Sequence, residues 1–173
     1  RLLLDKVDFT RGVITIDGKE YPMLDTNFPT IDPQDPYRLS EEEEALVENT
    51  LASFRHSARL RRHIDYIYTH GGMYKVSNNN LLYHGCIPMT ADGEFDTLEL
   101  NHGHFSGKAL LDHLDQRVRL AYYTGDQSSV DLMWYLWCGA KSPLFGKDRM
   151  TTFERCFIED KSLQKEPMNP YYH

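Results

Sequence analysis

The residue whose type and position best suit metal chemistry is His84. It follows the apolar run Leu81-Leu82-Tyr83, which predicts a strand, and precedes Gly85. Ligands of open α/β sheets collect at the carboxyl ends of strands, and a glycine lets the backbone approach an ion closely. A single histidine here has two interpretations: a metal ligand, or a hydrogen-bonded, partly buried histidine.

Counting along the chain argues against several other phosphate-handling sites. A cysteine phosphatase needs Arg six residues after its nucleophile, and those positions hold Asp92, Leu144 and Ser162. No Asp-x-Asp pair is present for an aspartyl-phosphate enzyme. Residues 103–109 resemble a Walker A loop but are one residue short and lack its Ser/Thr. Cys86 is therefore interpreted as a packed residue beside His84 and not as a nucleophile.

Two further histidines, His102 and His104, lie two residues apart, after the predicted strand at 98–100. Side chains two apart face the same side of a strand, so this pair could bind an adventitious metal ion. No supporting carboxylate is visible in the sequence, and a role without metal is the alternative.

Composition limits the class of protein. The chain has 173 residues, 40% hydrophobic and 12% aromatic, which excludes disordered, collagen-like and coiled-coil classes. A formal net charge of −7 argues against a nucleic-acid partner. Three widely spaced cysteines indicate a reducing compartment, and the sequence has no apolar run of about 18 residues that could cross a membrane. We therefore expect a cytoplasmic protein.

The hydrophobic pattern predicts an α+β fold in four segments. They are a β-hairpin region (1–26), a linker with helices (27–72), strands with the His-Gly motif (73–100) and a helical region (101–173). Asp17-Gly18 predicts the hairpin turn. Ser40 with Glu43 forms a capping box that predicts a helix start, and the helical phase breaks near His56-Ser57.

The second half contains short strands followed by helices. The predicted elements are strands at 73–76, 80–84 and 98–100, and helices that begin at Ser106 or Gly107, at Asp126 or Ser128, and at Thr151 or Thr152. The basic cluster of Arg55, Arg59, Arg61 and Arg62 is interpreted as a solvated helix face.

Several uncommon strings resemble bacterial class III fructose-1,6-bisphosphatases, in the calcineurin-like metallophosphatase superfamily. The central one is Leu-Leu-Tyr-His-Gly-Cys-Ile-Pro at 81–88. The others are Asn-Phe-Pro-Thr-Ile-Asp at 27–32, Asp-Pro-Tyr at 35–37, Gly-Lys-Ala-Leu-Leu-Asp at 107–112, Trp-Tyr-Leu-Trp-Cys-Gly at 134–139, Ser-Pro-Leu-Phe-Gly-Lys at 142–147, Thr-Phe-Glu-Arg at 152–155 and Asn-Pro-Tyr-Tyr at 169–172.

The resemblance implies a partial piece of an α/β metallophosphatase sandwich. It implies hydrolysis of fructose 1,6-bisphosphate to fructose 6-phosphate and phosphate, in gluconeogenesis, at a dinuclear Mn²⁺ centre of which His84 is a ligand. Of the family's other ligand motifs, Asp-x-His, Gly-Asp-x-x-Asp-Arg and Gly-Asn-His-Asp/Glu are absent from this sequence, and its one Gly-His pair, Gly103-His104, has Ser106 where the final motif has a second histidine. We therefore expect an internal fragment that is inactive alone.

Lys147, Arg149 and Arg155 lie in a region that resembles the family. An ammonium or a guanidinium there could bind a substrate phosphate, and structural ion pairs are the alternative interpretation.

Two other functions stay open at this stage. A non-catalytic helical interaction or regulatory module could use Trp134 and Trp137 as an oligomer surface, in a possible homo-oligomer. Another metallophosphoesterase, such as a phosphodiesterase or protein phosphatase, could share the same metal scaffold.

Overall fold

A computed structural model describes residues 2–101 and 103–166. Within them, residues 2–63 with 151–165 form one compact unit, and residues 64–101, 103–150 and 166 form the other. The four sequence segments stay a prediction, because the division into two units does not test them. The expected α+β class is confirmed by five α-helices and short antiparallel strands in the described residues.

The first unit contains a three-stranded antiparallel sheet. Its strands are β1 (Val7–Asp8), β2 (Val13–Ile16) and β3 (Lys19–Pro22), preceded by a 3-10 turn at Leu4–Lys6. The predicted turn between β2 and β3 is confirmed: Asp17 and Gly18 both have positive φ, at 50° and 79°. Such a turn twists as the flanking strands do.

The core of the first unit joins this sheet to the last helix, α5 (Thr152–Phe157). Ile14, Ile16 and Ile158 are buried together, and Ile158 forms an antiparallel bridge with Met23. The chain therefore returns to the first sheet after α5, which local patterns do not predict.

Helix α1 (Glu41–His56) begins at the predicted capping box. The Ser40 hydroxyl accepts a hydrogen bond from the Glu43 N–H, and the Glu43 carboxylate accepts one from the Ser40 N–H at 2.8 Å. The predicted break is also confirmed, because Ser57 separates α1 from α2 (Ala58–His70). The four arginines are exposed, as interpreted from sequence. Neither helix contains a buried residue.

In the second unit, strands β4 (Tyr74–Ser77) and β5 (Asn80–Tyr83) form a hairpin. Asn78 and Asn79 make its two-residue turn with φ of 50° and 61°. Because a two-residue turn forces antiparallel pairing, the parallel-sheet premise used for His84 does not hold here. Every sheet among the described residues is antiparallel.

A second hairpin and two helices complete this unit. Strands β6 (Leu98–Leu100) and β7 (Gly103–Phe105) pair antiparallel, and helices α3 (Gly107–Thr124) and α4 (Gln127–Cys138) follow. Asp126 caps α4, as one of the two predicted starts. The core holds Leu98, Leu110, Leu114 and Leu136. Within the described part of the chain, no helix is long and apolar enough to cross a membrane.

Candidate functional site around His84

His84 lies immediately after the last residue of β5, where the sequence places it. Its side chain is exposed. In the part of the chain that the structure describes, its imidazole makes no hydrogen bond or ion pair. This differs from the alternative of a hydrogen-bonded, partly buried histidine. The metal-ligand role stays a prediction.

The backbone that follows His84 packs against a loop from the end of α4. The Cys86 N–H donates to the Pro143 carbonyl at 2.9 Å. A Cβ atom on Gly85 would lie 2.4 Å from the same carbonyl oxygen, closer than real Cβ contacts. Glycine is therefore required by a close backbone approach to Pro143, and not by an unusual φ.

Cys86 is buried beside this contact, as the sequence interpretation expects. It is 4% exposed, and its thiol donates to the Ser142 carbonyl at 3.6 Å. A buried thiol in contact with a backbone oxygen behaves as a packed residue. The strings at 81–88 and 142–147 are thus neighbours in space.

Two cavities meet at His84. An open groove of about 620 Å³ is lined by the β4–β5 hairpin together with His70 and Gly71. A second cavity, of about 340 Å³, is lined by Val118 of α3 and by apolar side chains of α4, together with Tyr68 and other residues. Burial raises the pKa of the Tyr68 phenol, and the positive charge of Arg119 partly offsets this. The imidazole thus borders both cavities.

The three basic candidates are divided between the two units. Lys147 and Arg149 belong to the second unit and Arg155 to the first. The Lys147 ammonium pairs with Glu166, and Arg155 Nε donates to the Gln164 carbonyl at 3.1 Å. Arg149 Nε is buried and has no hydrogen-bond partner among the described residues. Substrate binding by these residues stays a prediction.

Metal-binding side chains are not clustered among the described residues. They contain no group of three or more His, Cys, Asp or Glu side chains that could hold an ion. His104 lies in β7, with Nδ1 3.6 Å from the Glu99 carboxylate. Its suggested partner His102 lies outside the described residues, as does the string at 169–172.

Sequence reasoning did not identify a further cavity in the second unit. This cavity of about 270 Å³ is lined by His113, Arg117 and Tyr135, among others. Arg117 donates to the Asp126 carboxylate at 3.0 Å. Burial raises the pKa of Tyr135 to about 12. The four-residue spacing of His113 and Arg117 on one helix face was the available signal.

The two tryptophans of α4 are not core residues in the second unit. Trp134 is 65% and Trp137 63% exposed, and their rings contact each other edge to face at 5.2 Å between centroids. An exposed aromatic pair is uncommon on a surface without a binding role.

Comparisons with known proteins identify the same family as the sequence strings that lie around His84. The model of the family described as Firmicute fructose-1,6-bisphosphatase matches residues 1–173. The chain is 52% identical over 176 residues to the fructose-1,6-bisphosphatase class 3 of Clostridium tetani (strain Massachusetts / E88), covering 99% of this chain and 27% of the relative. These matches confirm the resemblance recognised from the strings.

Other relatives are similar to the same extent. The chain is 50% identical over 177 residues to the fructose-1,6-bisphosphatase class 3 of Bacteroides fragilis (strain YCH46), covering 99% of this chain and 27% of the relative. It is also 50% identical over 177 residues to the fructose-1,6-bisphosphatase class 3 of Clostridium botulinum (strain Langeland), covering 99% of this chain and 26% of the relative. The chain thus spans about a quarter of the length of the curated relatives it matches. No solved structure matches it.

Proposed function

Because the chain belongs to the Firmicute fructose-1,6-bisphosphatase family, we propose that it is part of an enzyme that hydrolyses fructose 1,6-bisphosphate to fructose 6-phosphate and phosphate. The observation that carries this proposal is the family match along residues 1–173, with about half of the residues identical to class 3 enzymes. Gluconeogenesis and a cytoplasmic location are the setting proposed with it.

His84 is proposed as the one metal ligand that this segment contributes. An exposed imidazole without an intramolecular partner among the described residues suits a Mn²⁺ ligand. The same residues hold no group of three donors that could bind the ion without further ligands. The chain covers about a quarter of its relatives, and the remaining ligands are proposed to come from the longer protein.

When bound, a pair of divalent ions supplies a hydroxide and polarises the phosphoryl group. The part of His84 in that arrangement is to donate an imidazole lone pair from a fixed position. Lys147, Arg149 and Arg155 are proposed to attract the anionic substrate, by charge or by direct contact with phosphate. Lys147 would first have to leave Glu166.

The test is His84→Ala in the full-length protein that contains this chain. We expect Mn²⁺-dependent phosphate release from fructose 1,6-bisphosphate to be lost, with circular dichroism unchanged. His63→Ala, which removes an exposed histidine on α2, is the matched control and should retain the wild-type rate. A wild-type rate in His84→Ala would contradict the ligand role, and preference for phosphoproteins or phosphodiesters in a substrate panel would favour another metallophosphoesterase.

A second candidate function is a helical interaction module. The exposed Trp134–Trp137 pair favours it, since aromatic residues are enriched at protein interfaces. A homo-oligomer through this face would dissociate on Trp134→Ser. Sedimentation equilibrium tests this face, and an unchanged mass in Trp134→Ser would contradict the interaction module.

A further inference from the structure

Ser142 joins the loop after α4 to the end of that helix. It is 0% exposed, and its hydroxyl donates to the Leu136 carbonyl at 2.5 Å. Carbonyls in the last turn of a helix lack an intrahelical partner. The same hydroxyl oxygen accepts from the Leu144 N–H at 3.2 Å. One side chain therefore fixes the loop on both sides of Pro143.

The main chain of Ser142 adds a second set of contacts. Its carbonyl accepts from the Phe145 N–H at 3.2 Å and the Gly146 N–H at 3.0 Å, which closes a turn. It also accepts the Cys86 thiol at 3.6 Å. The turn thus holds the Ser142–Pro143 peptide in one orientation.

The Leu144 N–H held by the Ser142 hydroxyl belongs to the same peptide group as the Pro143 carbonyl, so the hydroxyl also orients this carbonyl. The Pro143 carbonyl accepts the Cys86 N–H at 2.9 Å and closely approaches Gly85. We infer that Ser142 is a positioning residue for His84, acting through the Pro143 carbonyl and the backbone of residues 85–86. The inference deepens the proposed function, since it rests on His84 as a metal ligand.

The position of His84 should affect the affinity for a metal ion. A ligand side chain must be held within about 0.5 Å of its productive position. Loss of a residue that orients a ligand typically weakens metal affinity by about 10–100-fold. Ser142 does not contact the ion in this account, so its effect passes entirely through the position of His84.

The first experiment measures amide hydrogen exchange at Cys86 in the full-length protein. Ser142→Ala should exchange this amide about fivefold faster, the factor for loss of one ordinary hydrogen bond. Ser129→Ala is the matched control, because Ser129 is also 0% exposed and its hydroxyl donates to Asp126 at 2.7 Å. The control should leave exchange at Cys86 unchanged.

The second experiment measures the Mn²⁺ dissociation constant by titration calorimetry of the metal-free protein. We expect Ser142→Ala to weaken binding by about tenfold, and Ser129→Ala to match the wild type even if both variants lose thermal stability. If Ser142→Ala fails to fold, Ser142→Cys has a slightly larger side chain with a weaker donor. It should accelerate exchange at Cys86 and weaken Mn²⁺ binding to a smaller extent.

The outcomes separate this inference from the proposed function. Unchanged exchange at Cys86 in Ser142→Ala, or in Ser142→Cys where that variant is needed, overturns the positioning role. Faster exchange with wild-type Mn²⁺ affinity overturns the link from the loop to the ligand. If His84→Ala itself keeps wild-type Mn²⁺ affinity, the ligand role of His84 is contradicted, and with it the positioning inference.

Discussion

The rings of Tyr68 and Tyr122 lie parallel, with 4.0 Å between their centroids and 5° between their planes. The Tyr122 hydroxyl also donates to Asp65, on the same helix as Tyr68. Arg119, one turn earlier on α3, donates to the Gly71 carbonyl at 2.7 Å. Together these contacts fasten the end of α2, and the glycine turn leading to β4, onto α3.

Replacing Tyr122 separates the ring contact from the hydroxyl contact. Tyr122→Phe should lower the free energy of unfolding by about 1 kcal/mol, for one hydrogen bond. Tyr122→Ala should lower it by about 1 kcal/mol more, because the stacked ring is also lost. Urea denaturation followed by fluorescence measures both variants. Equal effects would show that the stack contributes nothing to stability.

Gly85 is expected to tolerate no side chain. In Gly85→Ala the new Cβ would lie 2.4 Å from the Pro143 oxygen, so backbone must move at a cost of about 1–3 kcal/mol. Thermal denaturation should show the loss. Gly72→Ala serves as control, because its Cβ meets no atom closer than 3.4 Å. A Gly85→Ala variant as stable as the control would contradict the close approach.

The capping box of α1 gives a prediction for the first unit. Ser40→Ala removes the hydroxyl that accepts from the Glu43 N–H, which should reduce stability by about 1 kcal/mol. Ser53→Ala removes an exposed hydroxyl bonded to the Asn49 carbonyl within the same helix, and little change is expected. Urea denaturation followed by circular dichroism measures the stability of both variants. Equal unfolding midpoints for Ser40→Ala and Ser53→Ala would contradict a stabilising role of the capping box.

These elements show which features are readable from sequence. Ser40, Glu43, Asp126 and the Asp17-Gly18 turn act on neighbours a few residues away, so their types alone indicate the structure. Strand β7 was missed because Gly103 and His104 do not favour a strand, whereas β6 alternates apolar, polar and apolar residues over the same length.

The site depends on contacts of a different kind. The acceptors that Cys86 contacts are the backbone carbonyls of Ser142 and Pro143. Because every residue has a backbone carbonyl, no residue pattern predicts the pairing. Strand β5 is likewise antiparallel because it pairs with β4, which the residues of β5 alone do not indicate. The sequence strings were enough to identify the family. The contact between the strings at 81–88 and 142–147 was visible only in the structure.

The raised pKa of Tyr135 predicts how the free energy of unfolding depends on alkaline pH. Burial raises its pKa from 10.0 to about 12, so the folded state keeps a proton that the unfolded state releases. Its contribution is fully present below pH 10 and is lost as the pH rises through about 12. The stability of Tyr135→Phe should therefore fall less steeply over that window.

Tyr123→Phe is the control for this measurement, because Tyr123 is 62% exposed. It should follow the wild-type curve when chemical denaturation is repeated at intervals across the window. Parallel curves for wild type and Tyr135→Phe would contradict the raised pKa.

Helix α1 carries an uncovered apolar stripe of Leu46, Val47, Leu51 and Phe54, which are 67%, 53%, 44% and 63% exposed. When purified by itself, the 173-residue chain is therefore expected to have limited solubility despite its net charge of −7. Light scattering should increase with ammonium sulfate, because excluded salts strengthen apolar association. Replacing Leu46 and Phe54 with glutamate should raise the salt concentration at which the chain precipitates.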